Sequence, residues 1–411
     1  MRKVIFLSVL LIFSNALNAQ REDLGQAYKL LRSDLDSAIV LAESILKSSL
    51  EENDKYAEIQ ANYILGYCQK QKKNFGVATI YYLEAIRQAE SADYDELEKD
   101  KISLRKNLAN IFRTFNVNGL ATKYNLEAIA LAKKNNMLKK QMELMRNQGL
   151  VYQEAKRYNE AKQIFLELKE IADQKLKLIA LNQLGIIAYQ QGDLKEARLM
   201  YTELHEYASD YPVMKAKALH NIGQIAFHSG KRLEATSLLK NAIAIFEQSS
   251  IVDFYGLHTS YRYLGELMVL VDDHKQAERF LIKAYNLIDH VSENPESFQT
   301  YQLLSNLYFQ KGDIEKGEYY LNEYSRVSMQ YIERQQEIMQ RDKEYNFELI
   351  TKRYFDDVEK KERLKSIYAY AQYSTFGFLL IIALVIGGYQ IGKRRLQNSI
   401  AQDLRELNVL K

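Results

Sequence analysis

Leu65-Gly66-Tyr67-Cys68, followed by Ala78-Thr79-Ile80-Tyr81-Tyr82-Leu83-Glu84-Ala85, is the stretch whose reading decides the fold. A glycine is followed twelve residues later by an alanine, and that alanine four residues later by a large side chain. The offset recurs in Gly149–Ala161, Gly185–Ala197, Gly223–Ala235 and Gly265–Ala277, and with substitutions in Ala109–Ala121 and Ser305–Gly317. Tyr82, Phe165, Tyr201, Leu239, Leu281 and Leu321 stand four positions after the second small residue. Small residues on two antiparallel helices let the backbones approach, and the bulky residue one turn on fills the remaining gap. The offset inside each unit is constant, while the distance between units runs from 36 to 43 residues. This combination predicts an array of helix hairpins, whose function lies in surfaces rather than in a catalytic pocket.

These residues resemble the tetratricopeptide repeat. Leu65-Gly66 with a downstream tyrosine on the first helix, then Ala78, Tyr82 and Ala85 on the second, carry the likeness most clearly. Seven units fit between Lys55 and Met329, and a degenerate eighth around Asp36–Ile45 keeps Ala38 and Ala42 without the glycine, as an N-terminal cap would. The period averages near 40 residues, longer than the family's usual spacing of about 34 and within the HEAT range. The proline that commonly follows the second helix is mostly missing, since the chain has only Pro212 and Pro295. The fixed Gly-to-Ala offset favours long-helix tetratricopeptide repeats. The expected fold is all-α: a tetratricopeptide-like hairpin superhelix over residues 20–329, then a long stalk helix and a single transmembrane helix.

Composition agrees. With 17 glycines and two prolines in 411 residues, the chain is nearly all helical with short connections. A net charge of +3, from 56 basic and 53 acidic residues, comes with no basic cluster in the repeats, so no nucleic-acid partner is expected. Cys68 is the single cysteine and has no internal disulfide partner; on a first helix it reads as a small apolar residue.

The ends of the chain carry a different signal. Residues 1–19 read as a signal peptide, with Arg2 and Lys3, the apolar run Val4 to Phe13, and Ala19 before the cut. Residues 373–392 read as a transmembrane helix: Phe376 to Ile391 is apolar, no charge falls between Lys365 and Lys393, and Lys393-Arg394-Arg395 stop transfer. Gly388 and Gly392 form a GxxxG pair. Residues 330–372 read as a charged stalk helix about 60 Å long, with Glu337–Arg341, Glu348–Lys352 and Glu359–Arg363 at i,i+4. Its apolar stripe Phe347, Ile350, Tyr354 and Val358, with Leu396, Leu404 and Leu407 in the short helix 393–411, suits a weak homodimer of coiled-coil type. A cleavable signal places the repeats outside the bacterial inner membrane, in the periplasm, with the C-terminus in the cytoplasm.

No catalytic constellation is found, so no enzyme activity, metal or cofactor is expected. The six histidines do not pair at metal-ligand spacing, and GxxxxGK[ST], GxSxG and HExxH are absent. Asp272-Asp273-His274 falls in a turn between helices, where capping aspartates are ordinary. The concave wall of such an array comes from first helices, and here it would carry Tyr63, Tyr67, Lys70, Lys106, Asn110, Arg113, Arg146, Asn182, Tyr189, His220, Phe227 and Arg262. Aromatics with interspersed cations suit an extended protein or peptide ligand bearing acidic groups. Lys106, Asn110 and Asn147 match part of the family's carboxylate clamp, whereas Ile179 and Gln183 stand where its next basic residues belong.

The order of parts resembles the sensory half of bacterial tetratricopeptide sensor histidine kinases. That resemblance implies a membrane-anchored module of a two-component signal transduction system whose kinase core lies beyond this chain, since no histidine follows Lys393. Two alternatives stay open: a stand-alone anchored scaffold, and the sensory part of a helix-turn-helix transcription regulator.

Overall fold

The computed structural model describes residues 21–92, 97–291 and 294–372. The signal peptide expected at 1–19, the span expected at 373–392 with its GxxxG pair, and the inner helix at 393–411 lie outside the described residues. Among the described residues no helix is long and apolar enough to cross a membrane. The chain divides into two compact units, one ending at Glu348 and one beginning at Leu349.

The first unit is a succession of antiparallel hairpins. It opens with α1 (21–30) and α2 (Leu35–Glu52), which bury Leu24, Ala27, Ala38, Ala42 and Ile45, so the degenerate eighth unit is a hairpin. Six pairs follow: α3 (Lys55–Gln71) with α4 (Phe75–Ser91), α5 (Glu98–Thr114) with α6 (Asn118–Lys134), α7 (Leu138–Glu154) with α8 (Tyr158–Ile171), α9 (Gln174–Gln190) with α10 (Leu194–Tyr207), α11 (Pro212–His228) with α12 (Arg232–Gln248), and α13 (Phe254–Val269) with α14 (His274–Tyr285). After two short 3-10 turns, α15 (Gln299–Gln310) pairs with the start of α16 (Ile314–Tyr345).

The glycine–alanine register works as the spacing implies. A methyl group added at Gly66 would lie 2.8 Å from the ring of Tyr82, at Gly149 2.6 Å from Phe165, and at Gly185 2.4 Å from Tyr201. Each glycine therefore admits the large residue sixteen positions on, and Ala78, Ala161, Ala197, Ala235 and Ala277 are all fully buried. Where Ala109 replaces the glycine, position 125 holds the smaller Asn125 rather than an aromatic, and both residues are buried. In the last register Ser305 donates a hydrogen bond to the Gly317 carbonyl at 2.8 Å. There the expected Leu321 is exposed, and Tyr320 takes its role by stacking on Tyr308 at 5.6 Å. Among the described residues no further hairpin follows this one, and Leu321 is on its exposed face.

Turns inside the hairpins share one geometry. In α7–α8 the Lys156 N–H donates to Gln153 O at 2.9 Å and the Arg157 N–H to Tyr152 O at 2.8 Å, with Lys156 at φ 57°. This pair of bonds closes a helix end through a left-handed residue. Gly192, Gly230 and Gly312 fill the same position in other hairpins, whereas Lys73, Asn116 and Asp272 occupy it without glycine's conformational freedom, and Asn136 does so in the connection from α6 to α7. Asp273 then caps α14 by accepting from the Gln276 N–H at 3.0 Å, so the Asp272-Asp273-His274 cluster is a helix-entry turn.

The stalk differs from the expected rod. The array boundary expected at residue 329 falls inside α16, which continues the last hairpin to Tyr345. The helix is then interrupted at Asn346, with φ 32°, before α17 (Phe347–Gln372). Asparagine tolerates such backbone angles better than the flanking residue types, and its place ahead of an apolar Phe347 gives the chain a turn. In the second unit the Arg363–Glu359 ion pair spans 2.5 Å at the i,i+4 spacing read from the sequence.

Candidate functional site

All twelve candidate groove residues lie on first helices: three on α3, three on α5, one on α7, two on α9, two on α11 and one on α13. Successive first helices are tied by side chains about one repeat apart, and this ladder determines which candidates retain bonding capacity.

On the N-terminal side two of the three candidate cations on α3 and α5 are already paired. Lys106 meets Glu143 at 2.5 Å, and Arg113 holds Glu154 through two bonds of 2.8 and 2.7 Å. Bonding to Glu154 raises the Arg113 pKa above the ordinary guanidinium range. Lys70 has its pKa lowered by burial and then by the charge of Lys106. Tyr63 is half-buried between Tyr28 and Tyr82, with ring centroids 6.2 and 6.1 Å away, so it contributes more to the hairpin core than to an open wall. Asn110, Arg113, Thr114, Asn116 and Glu154 line a shallow polar cavity of about 420 Å³. Lys106, Asn110 and Asn147 thus share a clamp-like sequence pattern, but the Lys106 charge faces a carboxylate of the protein itself.

Toward the C-terminal side the wall becomes aromatic. Phe227 and Tyr263 approach to 5.1 Å, Phe227 and His228 to 5.1 Å, and Tyr189 lies 6.3 Å from His228. Gln224 donates to the Tyr263 hydroxyl at 2.7 Å and reaches the Tyr189 hydroxyl at 3.5 Å, joining α9, α11 and α13. Asn221 donates to Asn182 at 3.4 Å across α11 and α9. His220 contacts the hydroxyl of Ser260 at 2.8 Å through Nδ1, and that of Thr259 at 3.3 Å through Nε2. His258 makes the equivalent link to Thr300 of α15 at 3.1 Å. Burial, followed by the charge of Arg262, pushes both imidazoles down to about 4, so both are neutral near pH 7.

Two arginines have unfilled donors. Arg262 is 4% exposed and lies 4.1 Å over the Tyr263 ring, and its Nη1 reaches Glu266 at the long distance of 3.5 Å. Its Nε has no hydrogen-bond partner. Arg146 has Nη2 3.4 Å from Asn147 Oδ1 and likewise an unpartnered, buried Nε. Most guanidinium N–H groups removed from water find an acceptor, so these two Nε atoms are exceptions.

The sequence reading missed Glu143, Glu154, Gln224, Tyr263 and Ser260. They could have been found by scanning for complementary side chains one repeat apart, because Lys106–Glu143, Gln224–Tyr263 and His220–Ser260 are separated by 37, 39 and 40 residues. Cys68 is fully buried, and burial pushes its thiol up to about 11, which makes it inert at neutral pH. Among the described residues no group of three or more His, Cys, Asp or Glu side chains is placed to hold a metal ion.

Residues 140–210 match the family model described as tetratricopeptide repeat. No curated protein matches the sequence significantly. Among solved structures, the apo form of the quorum sensor NprR from B. thuringiensis is similar at 16% identity and a TM-score of 0.53, over 75% of this chain and 87% of that one. The apo form of RapI is similar at 13% identity and a TM-score of 0.50, over 68% of this chain and 99% of that one. At such identities the shared property is the fold: an all-α, tetratricopeptide-like helical superhelix with a family match across α7 to α10.

Proposed function

We propose that the array binds an extended protein or peptide segment with acidic groups, along the first-helix wall between α7 and α13. The observation that carries this reading is Arg262, buried against Tyr263 with an unpartnered Nε, beside the Tyr189, Phe227 and His228 rings. Rings provide sequence-tolerant contact area, and a guanidinium with free donors selects a carboxylate at one point along it. An open wall of this kind buries an extended chain better than it encloses a small metabolite. Likeness in fold to a protein described as a quorum sensor is consistent with a sensory role.

The fuller reading places this array outside the inner membrane of a bacterium. Residues 1–19 direct export, residues 373–392 anchor the chain, and the module serves a transmembrane signalling protein of histidine-kinase type. It is supported by the apolar run ending at Lys393-Arg394-Arg395 and by the order of parts. Weak self-association through the stalk rests on Ile350, Tyr354 and Val358 without Phe347, which is buried within the first unit.

Peptide selection from a random display library, run on the full chain in detergent, tests the central claim. Acidic peptides with an aromatic residue should be enriched, and Arg262→Gln should weaken the selected peptides roughly tenfold or more, the worth of a charged hydrogen bond in a desolvated site. A single tight site for a sugar or free amino acid, insensitive to Arg262→Gln, would refute the proposal. Alkaline phosphatase and reporter fusions at residue 330 and after Lys411 test the topology.

A further inference from the structure

Phe347 is the first residue after the α16–α17 interruption, and only 1% of it is exposed. Its ring lies 5.6 Å from Phe112 in an edge-to-face arrangement and 5.0 Å from Phe115. Phe115 in turn meets Phe75 edge-on at 4.9 Å, and Phe112 stacks on Tyr124 at 5.7 Å. Five aromatic rings thus converge at the C-terminal end of α5. Four come from α4, α5, α6 and the turn after α5, and the fifth from a segment more than 220 residues away in sequence. Both edge-to-face pairs have the geometry preferred by aromatic quadrupoles.

Residues 332–337 of α16 are exposed on every described side, and Ile332 itself is 55% exposed. The left-handed backbone at Asn346 ends the helix immediately before the buried ring. A buried aromatic residue reached through an exposed stretch of helix is a contact that can form and release as a unit, because its gain is set against the order it imposes on that stretch. Arg113, Thr114 and Asn116, which line the polar cavity, flank Phe115 in sequence. A chain entering that cavity therefore meets the same helix end.

We propose that the aromatic pocket of Phe75, Phe112, Phe115 and Tyr124 is a docking site for a phenylalanine at a helix start, and that the chain's own Phe347 occupies it as a latch. The latch joins the third hairpin to the residue pair that precedes the boundary of the second unit. Occupancy of the pocket and the backbone at Asn346 are therefore linked. Docking of Phe347 stands independently of the groove reading.

The test uses the full chain in detergent, with Phe347→Ala and Phe347→Leu variants. Arg341 and Lys343 lie just ahead of the latch and are trypsin sites. Phe347→Ala should speed cleavage there about tenfold, with Phe347→Leu intermediate, and should raise hydrogen exchange at residues 108–117. Far-UV helicity at 25 °C, and hydrogen exchange in α9–α14, should stay unchanged, which separates latch release from misfolding. A synthetic peptide covering residues 341–355 should bind Phe347→Ala but not the wild-type chain, and the peptide with alanine at position 347 should bind neither. Equal cleavage in all three proteins, or no binding of the peptide to Phe347→Ala, overturns the proposal. Cysteines placed at Asn116 and Glu348 in a Cys68→Ser background should crosslink within one chain at every dilution. Crosslinks that appear only between chains, and grow with concentration, would assign the pocket to a second copy and overturn occupancy by the chain's own segment.

Discussion

Replacing Gly185 with alanine tests the packing rule on which the array is built. The added methyl would lie 2.4, 2.6 and 2.8 Å from Cε1, Cζ and Cδ1 of Tyr201. Carbon atoms normally rest about 3.5–4.0 Å apart, so the ring and the methyl must separate by roughly 1 Å. Tyr201 is 2% exposed among Leu178, Leu181, Ala197 and Leu204, so the ring has little room to withdraw. Overpacking of this kind costs about 1–3 kcal/mol, and three close ring atoms place it near the upper end. The helix gains back about 1 kcal/mol because alanine is the better helix former. A net loss of about 2 kcal/mol is expected. At Gly223 the nearest atoms are Leu239 Cγ at 3.0 Å and Cδ2 at 3.1 Å, and a branched aliphatic chain adjusts more easily. There the two effects should nearly cancel. Urea denaturation followed by far-UV circular dichroism compares Gly185→Ala, Gly223→Ala and the double variant Gly185→Ala/Tyr201→Leu, with transitions fitted individually because repeat arrays need not unfold in one step. The double variant should recover part of the loss. Equal stability of Gly185→Ala and wild type would refute the claim that the glycine exists to admit the Tyr201 ring.

Four further outcomes are expected. Lys156→Gly should raise stability by about 0.5–1 kcal/mol, because a left-handed lysine costs about 1–2 kcal/mol against a smaller entropic penalty for glycine; a lower urea midpoint would count against it. Asp273→Ala should cost about 1 kcal/mol through loss of the α14 cap, while adding a chelator such as EDTA to the wild type leaves its melting temperature in place. His220 and His258 are held near 4 in the fold and titrate near 6.5 when unfolded, so the unfolded chain takes up more protons between those values. Stability should be full above about pH 6.5 and fall as pH drops toward 4, by up to about 3 kcal/mol per histidine, and a His220→Gln/His258→Gln chain should show a flatter acid limb. Ala197→Leu should destabilise by about 1–3 kcal/mol, since Ala197 is fully buried; an unchanged melting temperature would contradict the register.

The sequence by itself determined the hairpin. Gly66, Gly149 and Gly185 with their aromatic partners sixteen residues on are local arrangements, because the distance from glycine to ring is spanned by one turn and two short helical stretches of nearly fixed rise. The capping role of Asp273 was legible for the same reason. Two things were not legible locally. The charges of Lys106 and Arg113 look available to a ligand in the sequence, yet the rotation from one hairpin to the next brings Glu143 and Glu154 onto them, and that rotation is set by side-chain packing between repeats. The stalk reads as one continuous rod because its i,i+4 charge pairs favour helix on both sides of Asn346. Only the tertiary structure decides that Phe347 leaves that line for a pocket on α5. A helical pattern records which face of a segment is apolar, whereas the surface that meets it here belongs to a hairpin more than 210 residues earlier and exists only once that hairpin has folded.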